Sequence, residues 1–566
     1  MQNAEIAKYL AEIADMMELT GENFFHVRAY RNAARAVLDY PGNFSKLTIQ
    51  QMEKVPDIGK SISSKVDTLI QTGELAIHQE LRKKVPPGMM DVMRLPALGP
   101  KRVRQLHDEL GIKSLEDLKN ALEAGAVRSI RGFGPKMEES IRQALARRSA
   151  VATKRWLYAD AASEVERLLN HLRGCAAIAR VEAAGSFRRK RESVGDIDLL
   201  AISSDAAQVM KRLVEYPQVA QTIGMGDTKT SVVLHDGLQV DLRVLPEENY
   251  GAALVYFTGS KDHCVHIRRI AQRMGLSLNE YGLFRGSESV AGRTEEEVYR
   301  ALGLEWVAPE LREDRGEIKA AMDHSLPQLI TREDLRGDLH SHSTYTDGRA
   351  SIEEMARAAD EAGLEYLAVT DHSQRLAMVN GLDPKRLREQ WREIGEVQSR
   401  VKVRLLRGIE VDILEDGALD LPDEVLAELD WVVASVHYKL GQPSDEMTRR
   451  LVTAIRNPHV DVIGHPTGRI LIDKREPSSF DFNEVMRVAA HEGCALEVNS
   501  QARRLDLTDT NCIAAKHAGV KLVISSDSHS AKGFGLLQFG VNQARRGWIE
   551  PQDVLNTRPL KDLRQP

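Results

Sequence analysis

A multidomain chain of mixed α+β and α/β class is predicted by three observations. The first 150 residues repeat a glycine–lysine segment that opens an amphipathic helix. The next stretch alternates apolar and polar residues in strand-length runs, and beyond residue 335 apolar strands and amphipathic helices follow one another in repeated units. Together they predict helical domains first, a mixed sheet next and a strand-and-helix barrel last.

At 566 residues the chain exceeds what one hydrophobic core can organise, and roughly three to five domains are expected. The hydrophobic share (42%) and charged share (28%) are those of a soluble globular protein. No uncharged apolar run approaches the ~20 residues of a membrane helix, so no membrane partner is expected. The opening MQNAEIAKYLAEIADMMEL lacks the basic-then-apolar layout of a signal peptide. Its Ile6, Leu10, Ile13 and Met17 recur instead at helical spacing. Four scattered cysteines, Cys175, Cys264, Cys494 and Cys512, include no CxxC pair. That argues against a disulfide framework or a cysteine-based zinc finger and predicts a reducing, cytoplasmic setting. Net charge is −6, from 77 Lys+Arg against 83 Asp+Glu, which taken alone speaks against a polyanionic partner. The average hides a basic region at 81–156, with LRKK, PKRVRQL, RGFGPKM and ALARRSAVATKR.

Three early segments resemble one another: VPDIGKSISSKV, LPALGPKRVRQL and IRGFGPKMEESI. Each has an apolar lead, a glycine (Gly59, Gly99, Gly134), a lysine close behind (Lys60, Lys101, Lys136) and then a helix. The glycine lets the backbone come close to another molecule, and the helix start offers unpaired N–H groups to an anion. This is the helix–hairpin–helix pattern, a sequence-independent grip on a nucleic-acid backbone. Three copies beside basic residues favour DNA over an ordinary helical turn.

From about 151 to 315, VEAAG, DIDLLAI, SVVLHD and QVDLRVL read as strands. Asp196 and Asp198 sit two apart, so both carboxylates face one side. Asp241, in QVDLRVL, lies on a strand that can pair beside them. Three converging carboxylates can hold two divalent ions roughly 4 Å apart, an arrangement suited to nucleotidyl transfer. The preceding Gly185-Ser186 turn, with Arg189 on the helix it opens, suits a triphosphate.

GSFRR…GDIDLL, QVDLR and YFTGS, in this order and spacing, resemble the palm and thumb of the family X DNA polymerases, the DNA polymerase beta group. The resemblance implies a nucleotidyltransferase palm with thumb, with Asp196, Asp198 and Asp241 as ligands of Mg²⁺ or Mn²⁺. It implies triphosphate contacts from Gly185, Ser186, Arg189 and Gly195, sugar contacts from Tyr256 and Phe257, and a minor-groove template contact from Arg268. One position departs from the pattern: Cys264 stands where the family has an asparagine against the incoming base. A thiol is a poor hydrogen-bond partner there, so weaker nucleotide affinity or altered fidelity is expected.

FFHVRAYRNAARAV followed by VPDIGKSISSKVDTLIQTGEL is similar to the small lyase domain of the same family. Lys65 matches its Schiff-base lysine, while His26 and Ser61 replace two basic positions. A nucleophilic amine needs desolvation or cationic neighbours, so both lyase chemistry and a plain DNA-phosphate contact stay open for Lys65.

Beyond 335, RGDLHSHS, YLAVTDH, VRLLRGIEV, DWVVASVHY, VDVIGHPTG, CALEVNS and KLVISSDSH read as seven strands of a distorted (β/α) barrel. Of 17 histidines, a subset sits with carboxylates at strand ends: His340, His342, Asp347, His372, Glu410, His437, His465, Asp527 and His529. Those ends converge on one mouth, and nine nitrogen and oxygen donors suffice for two or three Zn²⁺, Mn²⁺ or Fe ions. These motifs resemble the polymerase and histidinol phosphatase (PHP) domain over about 335–566, with no ligand position departing from the family pattern. The resemblance implies a manganese-favoured 3′→5′ exonuclease, with abasic-site cleavage or 3′-end cleaning beside it. Glu497 and Asp371 read as supporting groups and His324 as incidental.

The resulting organisation is a lyase-like DNA-binding domain at 1–85, fingers at 86–150, a palm at 151–250, a thumb at 251–315, a linker at 316–332 and the barrel at 333–566. The leading reading is a monomeric repair polymerase that takes deoxynucleoside triphosphates and gapped or nicked double-stranded DNA, with a nuclease on the same chain. A 3′-phosphodiesterase whose polymerase half only positions gapped DNA, and a non-catalytic DNA-binding scaffold, are the alternatives.

Overall fold

The computed structural model describes residues 1, 3–38, 40, 44–93, 95, 98–150, 154–472 and 475–563. It divides into two compact units, Met1–Lys154 and Arg155–Pro566. Among the described residues no helix is long and apolar enough to cross a membrane.

The first unit is helical. In the helix Asn3–Thr20, Ile6, Leu10 and Ile13 are fully buried and Met17 nearly so, forming the predicted apolar face. Gly59 and Gly99 are N-caps of the helices Lys60–Thr72 and Pro100–Leu110, with nearly identical extended backbone (φ −85° at both). Gly134 directly precedes the helix Pro135–Ala150. A Cβ added at any of the three would meet nothing within 4 Å. Internal packing therefore does not require glycine at these helix starts, which leaves the space outside them open to another molecule.

In the second unit, residues 155–250 build a five-stranded sheet. Its order is Ile178–Ala183, Asp196–Ser203, Gln239–Leu245, Lys229–Leu234, Val219–Met225. Asp196–Ser203 and Gln239–Leu245 pair in parallel, and the other neighbours run antiparallel. Alternation sends Ile197, Leu199, Ala201, Val240, Leu242 and Val244 into one core and leaves the aspartates on the opposite face. The edge strand Val219–Met225 was not among the four strands read from sequence. Most of its residues are exposed, so it lacks the apolar alternation that marks a strand.

The thumb packs the helices Tyr250–Thr258, Lys261–Arg273 and Glu295–Ala301 with a three-stranded antiparallel sheet. The stretch 316–332, expected as a linker, is packed into this body. Glu317–Met322 is a helix whose Glu317, Ile318 and Ala321 are buried in the thumb core. Glu317 points inward and is paired, while Lys319, Asp323 and His324 stay exposed. Glu317 accepts from the backbone N–H groups of Asp314 and Arg315 and lies 2.7 Å from Nδ1 of His263.

A second buried charge group ties the thumb to the palm. Glu295 receives Nη1 of Arg188 at 2.7 Å and Nη1 of Arg312 at 2.7 Å, and Trp306 Nε1 at 3.1 Å. Burial alone would raise its pKa, but Arg312 and Arg188 outweigh that and hold the carboxyl well below its usual range. A carboxylate with a lowered folded-state pKa stabilises the fold above its unfolded value and loses that contribution as pH falls. Glu295→Gln is expected to cost about 3 kcal/mol, because it leaves two guanidiniums uncompensated. A lower urea midpoint at pH 7 checks this, and the gap to wild type should narrow as pH falls through the carboxylate range.

The barrel holds seven parallel strands in chain order, from Gly337–Asp338 through Tyr366–Val369, Arg404–Asp412, Trp431–Ser435, Val462–Ile463 and Ala495–Asn499 to Leu522–Ser525. The first and last approach through a bridge between Ser341 and Ser528, where His342 N donates to Ser528 O at 2.8 Å. Tyr366, Ala368, Trp431, Val433, Ala495 and Val523 fill the interior, and a larger core packs the surrounding helices.

Candidate active sites

The first site lies on the sheet at 155–250. The parallel register sets Asp198 opposite Asp241 and Asp196 opposite Gln239, so the three aspartates share one edge of the strand pair. Gly185 opens the short helix Gly185–Arg188 with φ +60°, and an added Cβ would lie 2.4 Å from Oδ2 of Asp198. Both the backbone and the packing therefore require glycine here. Burial and the charges of Asp196 and Asp241 push the Asp198 carboxyl up to about 7. Partial burial and Asp241 raise Asp196. Burial would raise Asp241 too, but Lys229 at 2.8 Å and Gln239 at 3.0 Å keep it below its ordinary value.

Crowded carboxylates whose ionisation is resisted by their neighbours are a donor set that divalent cations satisfy. The aspartates are drawn together less tightly than the barrel ligands. Among the described residues, the groups with three or more ligand atoms within 4.8 Å of one another are all in the barrel. Lys229 and Gln239 hold Asp241 on their own side.

Around the aspartates, Ser186 is half-buried and Gly195 exposed at the head of the strand. Arg189 caps the short helix; its Nη1 donates to Thr258 O and its Nε lies 3.1 Å from Glu313. Tyr256 and Phe257 meet edge to face at 5.0 Å. Arg268 stands 5.6 Å over the Tyr256 ring and Arg243 4.3 Å over that of Phe257. Cys264 is buried, and its thiol donates to the carbonyls of Val255 and Tyr256, an arrangement that leaves it nothing to offer a base.

The second site is the barrel mouth, where all nine sequence-predicted residues gather. Three groupings place their ligand atoms close enough for one ion each: His342, Asp347, His372 and His529; His340, His342 and Asp527; His372, Glu410 and His437. His465 joins through Nε2, 3.0 Å from Glu410. His340, His342, His465, Glu410 and Asp527 are buried.

Supporting groups aim the rings. Glu497 takes Nδ1 of His340 at 2.7 Å and the backbone N–H of His465 at 2.6 Å. Asp371 accepts from Ser343, Thr346 and Gln390, pinning the loop that carries Asp347. With Nδ1 of His340 so engaged, its Nε2 makes no hydrogen bond, nor does Nδ1 of His342. Buried ring nitrogens without partners, facing carboxylates, fit metal ligation. Burial and the neighbouring His372 and His529 hold His342 down to about 3, in the neutral form a ligand requires. Burial also opposes a proton on His372, but Glu410 and Asp347 outweigh it and raise that ring to about 10.

Sequence reasoning missed two groups in this site. Asp412 sits 3.3 Å from Nδ1 of His437, and Asn499 donates to Asp527 at 3.0 Å. Asp412 left a signal, since it follows Glu410 by two residues on the strand Arg404–Asp412 and so faces the same way. His324 lies outside the cluster, 2.9 Å from Glu305.

In the helical unit, Lys60 and Lys101 are exposed beside their glycines, whereas the Lys136 side chain lies outside the described residues. Lys65 is half-buried with its Nζ 5.0 Å over the Tyr30 ring, and His26 and Ser61 are exposed.

Comparison with known proteins adds the lineage. Family models match as a helix-hairpin-helix domain (1–75), a SAM-like helix-hairpin-helix tandem (89–147), a DNA polymerase beta thumb (253–313) and a PHP domain (338–501). A Bacillus subtilis protein named "DNA polymerase/3'-5' exonuclease PolX" is 39% identical over 568 aligned residues, covering 100% of this chain and 99% of that protein. The chain belongs to the family X DNA polymerases that carry a C-terminal PHP domain. Proteins with other names match part of the chain. Proteins named as probable phosphatases in Thermoanaerobacter sp. (strain X514) and Shewanella sediminis are 32% and 31% identical over 235 residues each. Each of these alignments covers 39% of this chain and 89% of the relative.

Proposed function

We propose that this DNA polymerase fills short gaps in DNA from deoxynucleoside triphosphates at Asp196, Asp198 and Asp241, and removes nucleotides from 3′ ends at the barrel mouth, as part of base excision or break repair. One observation carries the reading: a single chain holds two separate acid-rich centres, aspartates aligned by strand register in one and a close donor cluster in the other. Mg²⁺ or Mn²⁺ would be held by the three aspartates, and two or three Mn²⁺, Zn²⁺ or Fe ions by the nine barrel residues. When bound, such cations neutralise phosphate oxygens and acidify the attacking group.

The chain's own groups do the positioning. Gly185 lets the phosphate-side turn lie against Asp198, and Arg189, Ser186 and Gly195 line the approach of the triphosphate. Tyr256 and Phe257 offer a ring edge and face to the incoming sugar. In the barrel, Glu497, Asp412 and Asn499 hold His340, His437 and Asp527 in the orientations that turn their donor atoms into the mouth. The helix starts at Gly59, Gly99 and Gly134 grip phosphates flanking the gap. Lys65, seated over Tyr30, serves as one more phosphate contact.

The test is one substrate under two conditions. With Mn²⁺ on DNA bearing a one-nucleotide gap, the 3′ end should lengthen when nucleotides are present and shorten when they are withheld. A 3′ end unchanged under both conditions would sink the proposal.

A further inference from the structure

Several barrel arginines reach the polymerase half, Arg469 on Glu192 and Arg545 on Glu310 among them, and one of them, Arg546, meets the Gly185–Arg188 turn. Arg546 ends the barrel helix Leu537–Arg546 and is 3% exposed. Its Nη1 donates to the backbone carbonyl of Arg189 at 2.8 Å and to Oε1 of Glu313 at 3.1 Å. Its Nη2 is anchored on the barrel's own Asp509 at 2.6 Å, which also receives Arg315 at 3.1 Å. Oε1 of Glu313 is the same atom that takes Nε of Arg189, and Arg191 lies 3.8 Å from it.

The cluster thus contains four guanidiniums, Arg189, Arg191, Arg315 and Arg546, against two carboxylates, Glu313 and Asp509. The Arg191 side chain is 38% exposed, so solvent shares in its charge, while Arg546 is buried.

We infer that Arg546 is a positioning residue for nucleotide addition, contributed by the barrel to the triphosphate side of the palm. It fixes the backbone directly after the Gly185–Arg188 turn and draws part of the Glu313 charge onto itself. Without it, Glu313 would neutralise Arg189 more fully, and the Arg189 carbonyl would lose its donor. The field on an incoming triphosphate weakens in consequence, while the aspartates that run the chemistry are untouched. The inference rests on the reading of Arg189 as a triphosphate contact.

Kinetics of gap filling by the full chain test it. Arg546→Met should raise the KM for the deoxynucleoside triphosphate about 10-fold, equivalent to roughly 1.4 kcal/mol, with kcat within about threefold of wild type, as loss of uniform binding requires. Arg546→Lys, which keeps the charge, should recover most of the affinity. Arg189→Ala is measured alongside. If it leaves KM unchanged, the reading of the phosphate turn is what fails. If it raises KM while Arg546→Met does not, the present inference is overturned. It is equally overturned if Arg546→Met lowers kcat and the melting temperature together and Arg546→Lys restores neither, because the arginine would then only hold the fold. Should Arg546→Met not fold, Asp509→Asn frees the far end of Arg546 and should raise KM about threefold, a smaller effect because the charge remains; an unchanged KM overturns the inference.

Discussion

Asp198→Asn should abolish nucleotide addition, lowering kcat/KM by about 1000-fold or more, the scale of roughly 4 kcal/mol of lost transition-state stabilisation at a metal-dependent centre. Asp198 stands between Asp196 on its own strand and Asp241 directly across the register, so it bears on both halves of any ion pair held there. Asparagine keeps the volume against Gly185 and removes only the charge. Because the neighbouring aspartates already resist ionisation of Asp198, the variant should unfold no more easily than wild type. Primer extension on gapped DNA, run beside shortening of the same 3′ end without nucleotides, reads the outcome. Extension surviving at more than a tenth of the wild-type rate would place the chemistry elsewhere. Shortening lost together with extension would instead point to collapse of a shared scaffold.

The converse effect is expected from His342→Ala. His342 belongs to two of the three close donor groupings, whereas His529 and Asp347 belong to one. Its removal should therefore cost the nuclease about 1000-fold or more, and His529→Ala distinctly less. Gap filling should continue in both variants. If the two substitutions weaken the nuclease equally, the sharing of His342 carries no functional weight. If His342→Ala leaves shortening intact, the barrel mouth is not where it happens. The same pair of measurements separates the polymerase reading from a phosphodiesterase whose palm only positions DNA, since that protein would never extend.

Much of this was legible because both centres are written in short-range periodicity. Asp196 and Asp198 had to share a face at a spacing of two, and the strand alternation bears this out with Ile197 and Leu199 buried opposite. The candidate barrel donors were visible because parallel strands deliver their ends to a common mouth, and every apolar run but Ala495–Asn499 stops at a histidine or acid. What escaped was long-range. The exposed edge strand Val219–Met225 is held by its partner rather than by its own pattern. Residues 316–332 look solvated until His263, 54 residues upstream of Glu317, supplies the buried partner. Asn499 holds Asp527 from 28 residues away. Such pairings leave no mark in local spacing.

One feature of the barrel ties its architecture to its chemistry. The sheet closes through a single bridge at Ser341 and Ser528, and the side chains flanking that seam are themselves members of the donor cluster. His342 and Asp527, separated by 185 residues, meet there at 3.1 Å. The backbone clasp of the ring and the candidate metal centre therefore lie on adjacent residues. Opening the sheet at this seam would pull His342 away from Asp527 and so break up the donor cluster before any other part of the barrel.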